Sequence, residues 1–215
     1  MGVAEATFCG LPLLTAAGRV MTPRRATERL VAAAAEHVRG RRTRIADVGT
    51  GAGAIALSLA RLAPQAEIWA SDVSAAAVSL ARANARRHGV GGRVHVVRGD
   101  LLEPLPGELD LIVANLPYLP AADRSRYVDL AAEPHEALFA LDDGLALYRR
   151  LFRSAEERLR GGGVVMIQLH RCVFGFERTE LAAAGASLGR LVPDRRPAAP
   201  ARRLLREPAA LPAAG

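Results

Sequence analysis

Residues 44–62, RIADVGTGAGAIALSLARL, contain the feature that decides the fold: a short apolar run, a glycine-rich turn and an apolar helix in direct succession. Residues 44–48 are typical of a buried parallel strand, and residues 54–62 are typical of a helix. Between them, glycines at 49, 51 and 53 let the backbone turn sharply and approach a ligand without a Cβ in the way. This order predicts a ligand-binding crossover at the edge of a parallel sheet.

The rest of the chain repeats the alternation of strand and helix. We predict further strands at residues 67–71, 93–98, 109–114, 164–169, 187–192 and 202–206. We predict further helices at 25–39, 74–88, 144–159 and 177–184, with Ser74 as an N-cap and Gly89 as a left-handed stop. Residues 115–141 have no clean period and are interpreted as a long functional loop. Strands separated by helices predict an α/β fold with a mostly parallel sheet covered on both faces.

The composition is that of one domain of ordinary size. The chain has 215 residues, of which 43 are alanine and 4% are aromatic, so we expect alanine-rich helices packed on a sheet of Val, Ile and Leu. No uncharged stretch reaches the ~18 residues that a membrane span requires, and the N-terminus has no signal-peptide pattern. Cys9 and Cys172 give no disulfide framework and no metal spacing. We expect a cytoplasmic protein, a monomer or weak homodimer, without a metal site.

The charge balance leaves a nucleic-acid partner open. The net charge is +7 at pH 7, and the sequence has 29 arginines and no lysine. Together with the alanine excess, this is typical of coding in a GC-rich genome. No aromatic residues alternate with the basic runs, as single-strand binding would usually require. Nucleic acid therefore ranks behind other partners.

Two classes of cofactor fit the glycine turn. With Ala54 as the third small residue, the turn matches the dinucleotide fingerprint, and Asp72 lies near the usual distance for a ribose-binding acid. With Asp47 included, the turn is Asp-x-Gly-x-Gly-x-Gly, which resembles the first motif of class I methyltransferases that use S-adenosylmethionine. The turn alone leaves both alternatives open.

Polar residues after the later strands favour the second alternative. Asp72 ends one strand, where it can accept from ribose hydroxyls, and Asp100 follows the next, where it can accept from an adenine amino group. Asn115-Leu116-Pro117-Tyr118 follows residues 109–114, at the carboxyl edge where open parallel sheets bind ligands. An asparagine oxygen and a backbone carbonyl can accept both N–H bonds of an amide or amine and direct its nitrogen at a methyl group. The alternative is that Asn115 caps a turn and Pro117 ends the strand.

In these motifs the sequence resembles the HemK/PrmC family, class I methyltransferases that methylate a glutamine side-chain amide of peptide chain release factors. The resemblance covers about residues 8–206. It includes Thr22-Pro23-Arg24 with Thr27-Glu28, residues 48–57, 70–74, 99–102 and 110–115, Glu133-Pro134 with Ala137-Leu138, and residues 143–145. It implies a Rossmann-like class I methyltransferase fold of three layers, with seven strands, mostly parallel, and an antiparallel last strand.

The resemblance also implies roles for individual residues. The cofactor would be S-adenosyl-L-methionine and the product S-adenosyl-L-homocysteine. The cofactor-binding residues would be Gly49, Thr50, Gly51, Ala52 and Gly53 at the methionine end and ribose, Asp72 at the ribose hydroxyls, Asp100 and Leu101 at the adenine, and Asn115. Asn115 and the Leu116 carbonyl would orient the acceptor amide, Pro117 would shape the segment, and Tyr118 would pack on the acceptor.

The sequence departs from the family pattern at several points, among them Leu101 in place of an aromatic residue and Gln168-Leu169-His170 in place of an acidic residue followed by glycine. Leu116 replaces the first of two prolines, and Asn-Leu-Pro-Tyr also resembles the motif of ribosomal adenine dimethylases. We expect residues 1–43 to form a short N-terminal cover in place of the family's helical domain, residues 44–206 the catalytic domain, and residues 207–215 a flexible tail. The expected acceptor is a protein such as a release factor; an adenine of nucleic acid or a small amine or amide metabolite is the alternative.

Overall fold

The fold is a parallel sheet with helices on both faces. The computed structural model describes residues 4–120, 133–140, 144–169 and 188–193. The chain begins with a hairpin of β1 (Ala4–Phe8) and β2 (Leu11–Thr15), then a 3₁₀ turn at Arg25–Thr27 and helix α1 (Glu28–Val38). The other elements are β3 (Arg44–Val48), α2 (Ala54–Leu62), β4 (Glu67–Asp72), α3 (Ala75–Arg87), β5 (Val94–Arg98), β6 (Leu109–Ala114), the short strands β7 (Leu119–Pro120) and β8 (Phe139–Ala140), α4 (Ala146–Arg158), β9 (Leu159–Leu169) and β10 (Leu188–Pro193).

The sheet has the strand order β5-β4-β3-β6-β9-β10, and every neighbouring pair is parallel. The chain runs outward from β3 through β4 to β5 and then returns to β6 on the other side of β3. The carboxyl ends of β3 and β6 are therefore the point at which the strand order reverses. In open α/β sheets, ligands bind in the crevice at this point.

Two apolar clusters, one on each face of the sheet, make the three layers that were predicted. Ile45 of β3 and Val113 of β6 contribute to a core with the hairpin and helices α1, α2 and α3. Their chain neighbours Ala46 and Ala114 point to the opposite face and pack in a second core with α4. Because successive residues of a strand face opposite sides, these apolar runs bury both faces of the sheet.

Local signals set the ends of α3 as predicted. The Ser74 hydroxyl accepts a hydrogen bond from the Ala77 amide at the N-terminus of the helix. Gly89, just past its C-terminus, has a φ of +66°, the left-handed conformation for which glycine carries no steric penalty. The predicted bounds of β3, α2 and β6 agree with the structure to the residue.

The predicted start of a strand at residue 164 was wrong. β9 begins at Leu159, directly after α4, and includes the glycines at 161–163. The pairing with β6 moves from Leu109 opposite Leu159 to Leu111 opposite Val164, so β9 bulges there. A Cβ on Gly163 would lie 3.0 Å from the Leu109 carbonyl oxygen, closer than most Cβ atoms come to a neighbour, so glycine suits this bulge.

The hairpin was not predicted from the sequence. Its turn is Cys9-Gly10, with positive φ at both residues, as in the two-residue hairpin turns that match strand twist. Leu11 and Leu13 of β2 are buried, and the Cys9 amide donates to the Glu28 carboxylate of α1 at 2.9 Å. The N-terminal cover therefore shares its core with the sheet.

Some predictions lie outside the described residues: the helix at 177–184, the antiparallel strand at 202–206 and the tail at 207–215. The loop at 115–141 is described in part. β7 and β8 pair within it, and a 3₁₀ turn covers His135–Ala137. Over the described ranges, no helix is long and apolar enough to cross a membrane.

Candidate active site at the carboxyl edge of the sheet

The glycine turn connects the carboxyl end of β3 to α2 at the centre of the sheet. Gly49, Gly51 and Gly53 have φ values of +73°, +56° and +85°, which residues other than glycine rarely adopt. A Cβ on Gly49 would lie 2.7 Å from Leu116 Cδ2. The Gly49 amide donates to the Ser71 carbonyl at 2.9 Å. The turn is thereby held between the ends of β4 and β6.

A buried carboxylate supports the turn from below. Asp47, at 0% exposure, accepts from the Thr50 hydroxyl at 2.6 Å and from the Ala56 amide at 3.0 Å through Oδ2. Its other oxygen, Oδ1, is buried and accepts no hydrogen bond from any residue that the structure describes. Burial, with a smaller contribution from the nearby Asp72, raises the pKa of Asp47 from 3.8 to about 6, although the two hydrogen bonds lower it. Asp47 is a structural support of the turn and does not line the cavity described below.

Asp72, at the end of β4, is fixed by two backbone amides. Oδ2 accepts from Gly51 and Oδ1 accepts from Ser74, each at 2.9 Å. Burial raises the pKa of Asp72, and the two hydrogen bonds oppose that rise. Since a carboxylate offers about four lone-pair sites, two sites stay available to a ligand that enters the neighbouring cavity.

Asp100 and Leu101 follow β5 and form another wall of the site. Leu101 has a φ of +46°, and its carbonyl accepts from the buried Ser71 hydroxyl at 2.6 Å, which fixes this turn against β4. The Asp100 carboxylate pairs with Arg150 of α4. This ion pair was not predicted, and it engages one oxygen of a carboxylate that was expected to accept from adenine.

Asn115, directly after β6, contacts a residue 88 positions earlier in the chain. Its Nδ2 donates to the Thr27 hydroxyl at 3.2 Å, and Thr27 is buried. The carboxamide oxygen of Asn115 therefore points away from Thr27. The described part of the loop places Asn115 at the same sheet edge as the glycine turn.

The segment after Asn115 is anchored by Tyr148 of α4, which is 0% exposed. Its hydroxyl accepts from the Leu116 amide at 3.1 Å and lies 3.0 Å from the Leu116 carbonyl and 2.8 Å from the Gln168 carbonyl. One hydroxyl proton serves only one carbonyl at a time, and each carbonyl oxygen has two lone pairs. The Leu116 carbonyl therefore keeps accepting capacity. Burial raises the pKa of Tyr148 well above its ordinary value.

Three adjoining cavities bring the predicted residues together. The largest has a volume of about 170 Å³, and two smaller ones, of about 60 Å³ and about 30 Å³, also meet Asn115. The predicted residues that line the largest are Gly49, Gly51, Asp72, Asp100, Leu101, Asn115, Leu116 and Pro117. Thr50 and Ala52 line the second cavity, and Tyr118 lines the third. Gly53 lines none of the three, because its Cα faces Leu57 and Ala81 in the packing between α2 and α3.

Other residues of the site were not predicted from the sequence. Met21 lines all three cavities, and the half-buried Arg24 lines the two smaller ones. Asn84, fully buried in α3, accepts from the Leu14 amide and donates to the Ala52 carbonyl at 2.9 Å. It therefore joins the hairpin to the glycine turn. A buried asparagine inside a helix is a signal of such a role, because asparagine is otherwise unfavourable there.

Comparison with curated proteins finds relatives that share one name. The chain is 44% identical over 153 residues to a release factor glutamine methyltransferase from Moorella thermoacetica, which is 70% of this chain and 54% of that protein. It is also 44% identical over 158 residues to the protein of the same name from Deinococcus radiodurans, covering 73% and 56% of the two chains. These relatives confirm the resemblance to the HemK/PrmC family. The chain spans little more than half the length of the relatives it matches.

Comparison with solved structures supports the fold. A 16S rRNA methyltransferase from T. thermophilus, solved with AdoMet and guanosine, aligns with a TM-score of 0.55 and 22% identity, over 76% of this chain and 40% of that one. This likeness extends to the fold, a class I Rossmann-like methyltransferase fold. A family model, the methyltransferase small domain, matches residues 23–132. With that match over half of its length, the chain belongs to the methyltransferase small domain family.

Proposed function

We propose that this protein is an S-adenosylmethionine-dependent N-methyltransferase that methylates a glutamine side-chain amide of a protein, with a peptide chain release factor as the acceptor. One observation carries the proposal. A polar carboxamide, Asn115, lines the large cavity beside the glycine turn and also both of the smaller cavities that adjoin it. A cofactor in the first and an acceptor in the others would meet at this residue. The curated relatives' shared name supports the acceptor class.

The residues of the large cavity fit S-adenosylmethionine. The positive φ of Gly49 and Gly51 turns the backbone of this loop toward the cavity without a Cβ. Asp72 keeps unused lone pairs at its edge for a pair of ribose hydroxyls. Apolar side chains such as Val73 and Leu101 line the same wall, as a flat adenine requires. When bound, the cofactor supplies an electrophilic methyl group, and it leaves as S-adenosylhomocysteine.

The residues beyond Asn115 fit a planar amide. An amide nitrogen is a poor nucleophile because its lone pair is delocalised. The Asn115 oxygen and the Leu116 carbonyl would accept its two N–H bonds and direct the nitrogen toward the cofactor, so that orientation and fixed dipoles would supply the rate. Tyr118 would pack on the flat face of the amide, and the methylated nitrogen would release its extra proton to water. This scheme does not require any of the described side chains to act as a strong base.

The experiment offers three acceptors with methyl-labelled cofactor: a release-factor domain that presents its Gly-Gly-Gln loop, an adenine-containing RNA, and a metabolite extract. Label on the glutamine supports the proposal. Label on the RNA or on small molecules alone contradicts the acceptor class and moves the assignment to adenine or metabolite methylation.

Two variants test the division of the site. Asn115→Ala is expected to lower turnover on the order of 100-fold, the effect of one preorganised contact in the transition state, and to leave the affinity for S-adenosylhomocysteine within a few-fold. Asp72→Ala is expected to do the opposite and to weaken cofactor affinity first, as calorimetric titration would report. Equal turnover by the wild type and Asn115→Ala on every acceptor would mean that the segment Asn115–Tyr118 has a structural role only.

A further inference from the structure

Thr27 occupies the N-cap position of α1 but does not cap the helix. Threonine at this position ordinarily accepts a hydrogen bond from a backbone amide of the first turn. The Thr27 backbone is helical, with φ −73° and ψ −16°, and its side chain makes no capping hydrogen bond. Its hydroxyl accepts from Asn115 instead. Because the 3₁₀ turn at Arg25–Thr27 runs directly into α1, the Thr27 backbone is helical rather than extended as in a capping residue, and its hydroxyl is left to accept from Asn115.

The contact determines which end of the Asn115 carboxamide faces the acceptor. The oxygen and the nitrogen of this planar group lie on opposite sides, so a hydrogen bond from Nδ2 to Thr27 turns Oδ1 the other way. Thr27 and Asn115 line the same cavity beside the glycine turn, and Thr27 is only 5% exposed. Water therefore competes little for the hydroxyl.

We propose that Thr27 is a positioning residue, which acts through Asn115 by holding the carboxamide with its oxygen toward the acceptor amide. The proposal rests on the proposed function and adds a residue to its machinery. The 3₁₀ turn at Arg25–Thr27 and the segment after β6 come from distant parts of the chain, and this hydrogen bond joins them.

The activity test compares two substitutions of Thr27 with a matched control. Thr27→Val keeps the shape of the side chain and removes the hydroxyl; kcat is expected to fall roughly ten- to a hundred-fold, the cost of misplacing a catalytic group, with the S-adenosylhomocysteine affinity within threefold. Thr27→Ser restores the hydroxyl and is expected to recover kcat to within threefold of the wild type. Thr43→Val is the control, because Thr43 is about as buried as Thr27, its hydroxyl has no hydrogen-bond partner among the described residues, and it lies just before β3 at the opposite edge of the sheet. It is expected to leave kcat unchanged.

A spectroscopic test does not depend on turnover. The sequence contains two asparagines, Asn84 and Asn115, so protein labelled with ¹⁵N at asparagine gives two side-chain amide pairs in a ¹H–¹⁵N spectrum. In Thr27→Val the Asn115 pair is expected to shift by more than its linewidth, because one of its protons loses an acceptor. The Asn84 pair, whose acceptors are elsewhere, is expected to stay in place and reports that the fold is intact.

A double variant separates positioning from stability. If Thr27 acts through Asn115, adding Thr27→Val to Asn115→Ala lowers kcat no further. The proposal is overturned if Thr27→Val has wild-type kcat, if Thr27→Ser fails to recover it, if Thr43→Val loses as much, if the two effects multiply, or if the Asn115 resonances do not move. Wild-type turnover in Asn115→Ala, or no methylation of any acceptor, contradicts the proposed function instead, and the spectrum still decides the hydrogen bond.

Discussion

The buried Asp47 carboxylate predicts an unusual pH dependence of stability. Its pKa is about 6 in the folded protein against an ordinary value of 3.8. Since a tenfold change in an equilibrium constant is ~1.4 kcal/mol, ionising Asp47 costs about 3 kcal/mol more in the folded protein than in the unfolded chain. Between pH 4 and pH 6 the folded protein keeps this proton and the unfolded chain has lost it. The contribution of Asp47 to the free energy of unfolding therefore falls as pH rises through this window, by about 3 kcal/mol in all, and is constant above it.

The substitution Asp47→Asn isolates this contribution, because asparagine does not titrate and can still accept from Thr50 and Ala56. Urea unfolding of both proteins at pH 4, 5, 6 and 7, followed by the fluorescence of the single tryptophan, Trp69, gives the free energy of unfolding of each. The variant's value minus the wild type's is expected to rise by roughly 2.5 kcal/mol from pH 4 to pH 7, because the unfolded chain still holds part of the proton at pH 4. The denaturant slopes should agree between the two proteins, which shows that the same surface is exposed.

A difference that does not change with pH would refute this reasoning. It would mean that Asp47 is ionised throughout, and that the Thr50 hydroxyl, the Ala56 amide and the N-terminal end of α2 stabilise the charge enough to offset its burial. A difference that falls with rising pH would refute it as well, because the folded protein would then hold the Asp47 proton less tightly than the unfolded chain.

Three further substitutions test the packing around the site. Asn84→Ala removes the hydrogen bond to Ala52 and those to the hairpin, and should lower the free energy of unfolding by ~3 kcal/mol in urea. It should also weaken S-adenosylhomocysteine binding in calorimetry. An unchanged affinity would mean that the contact with the hairpin does not hold the glycine turn in its binding conformation. Gly53→Ala puts a Cβ 3.2 Å from the Ala81 Cβ at a φ of +85° and should cost ~1–3 kcal/mol by the same measurement; an equal or higher midpoint would contradict the packing role. Tyr148→Phe leaves a buried backbone amide without its acceptor and should cost ~1–3 kcal/mol, and an unchanged melting temperature would argue against that anchor.

Local patterns in the sequence predicted the elements that build the sheet edge. The strand at residues 44–48 and the helix at 54–62 were predicted to the residue, because an apolar run, a glycine turn and a second apolar run leave few other structures available. The location of Asn115 beside the glycine turn followed from topology, since the carboxyl ends of parallel strands lie at one edge. The roles of Asn115 and Asp72 toward ligands stay predictions.

Contacts between residues far apart in the chain could not be predicted from the sequence. Nothing near Tyr148 or Asp100 indicates that the first anchors Leu116 or that the second pairs with Arg150. The glycines at 161–163 have the composition of a turn, and only the pairing with β6 makes them part of a strand. The hairpin escaped prediction because Cys-Gly is a weaker turn signal than Asn-Gly.

The hydrogen bond from the Thr22 amide to the Glu133 carboxylate, at 3.0 Å, has a consequence for synthesis of the chain. It joins residues 111 positions apart, and the large cavity is lined by residues from Arg19 to Leu147. Contacts of such long range are slow to form and depend on most of the sheet being present. During translation, β3, α2 and β4 leave the ribosome well before Glu133 does. A nascent chain thus exposes the glycine turn before the cavity around it is complete, and the residues that line the large cavity have all emerged only once Leu147 has left the ribosome.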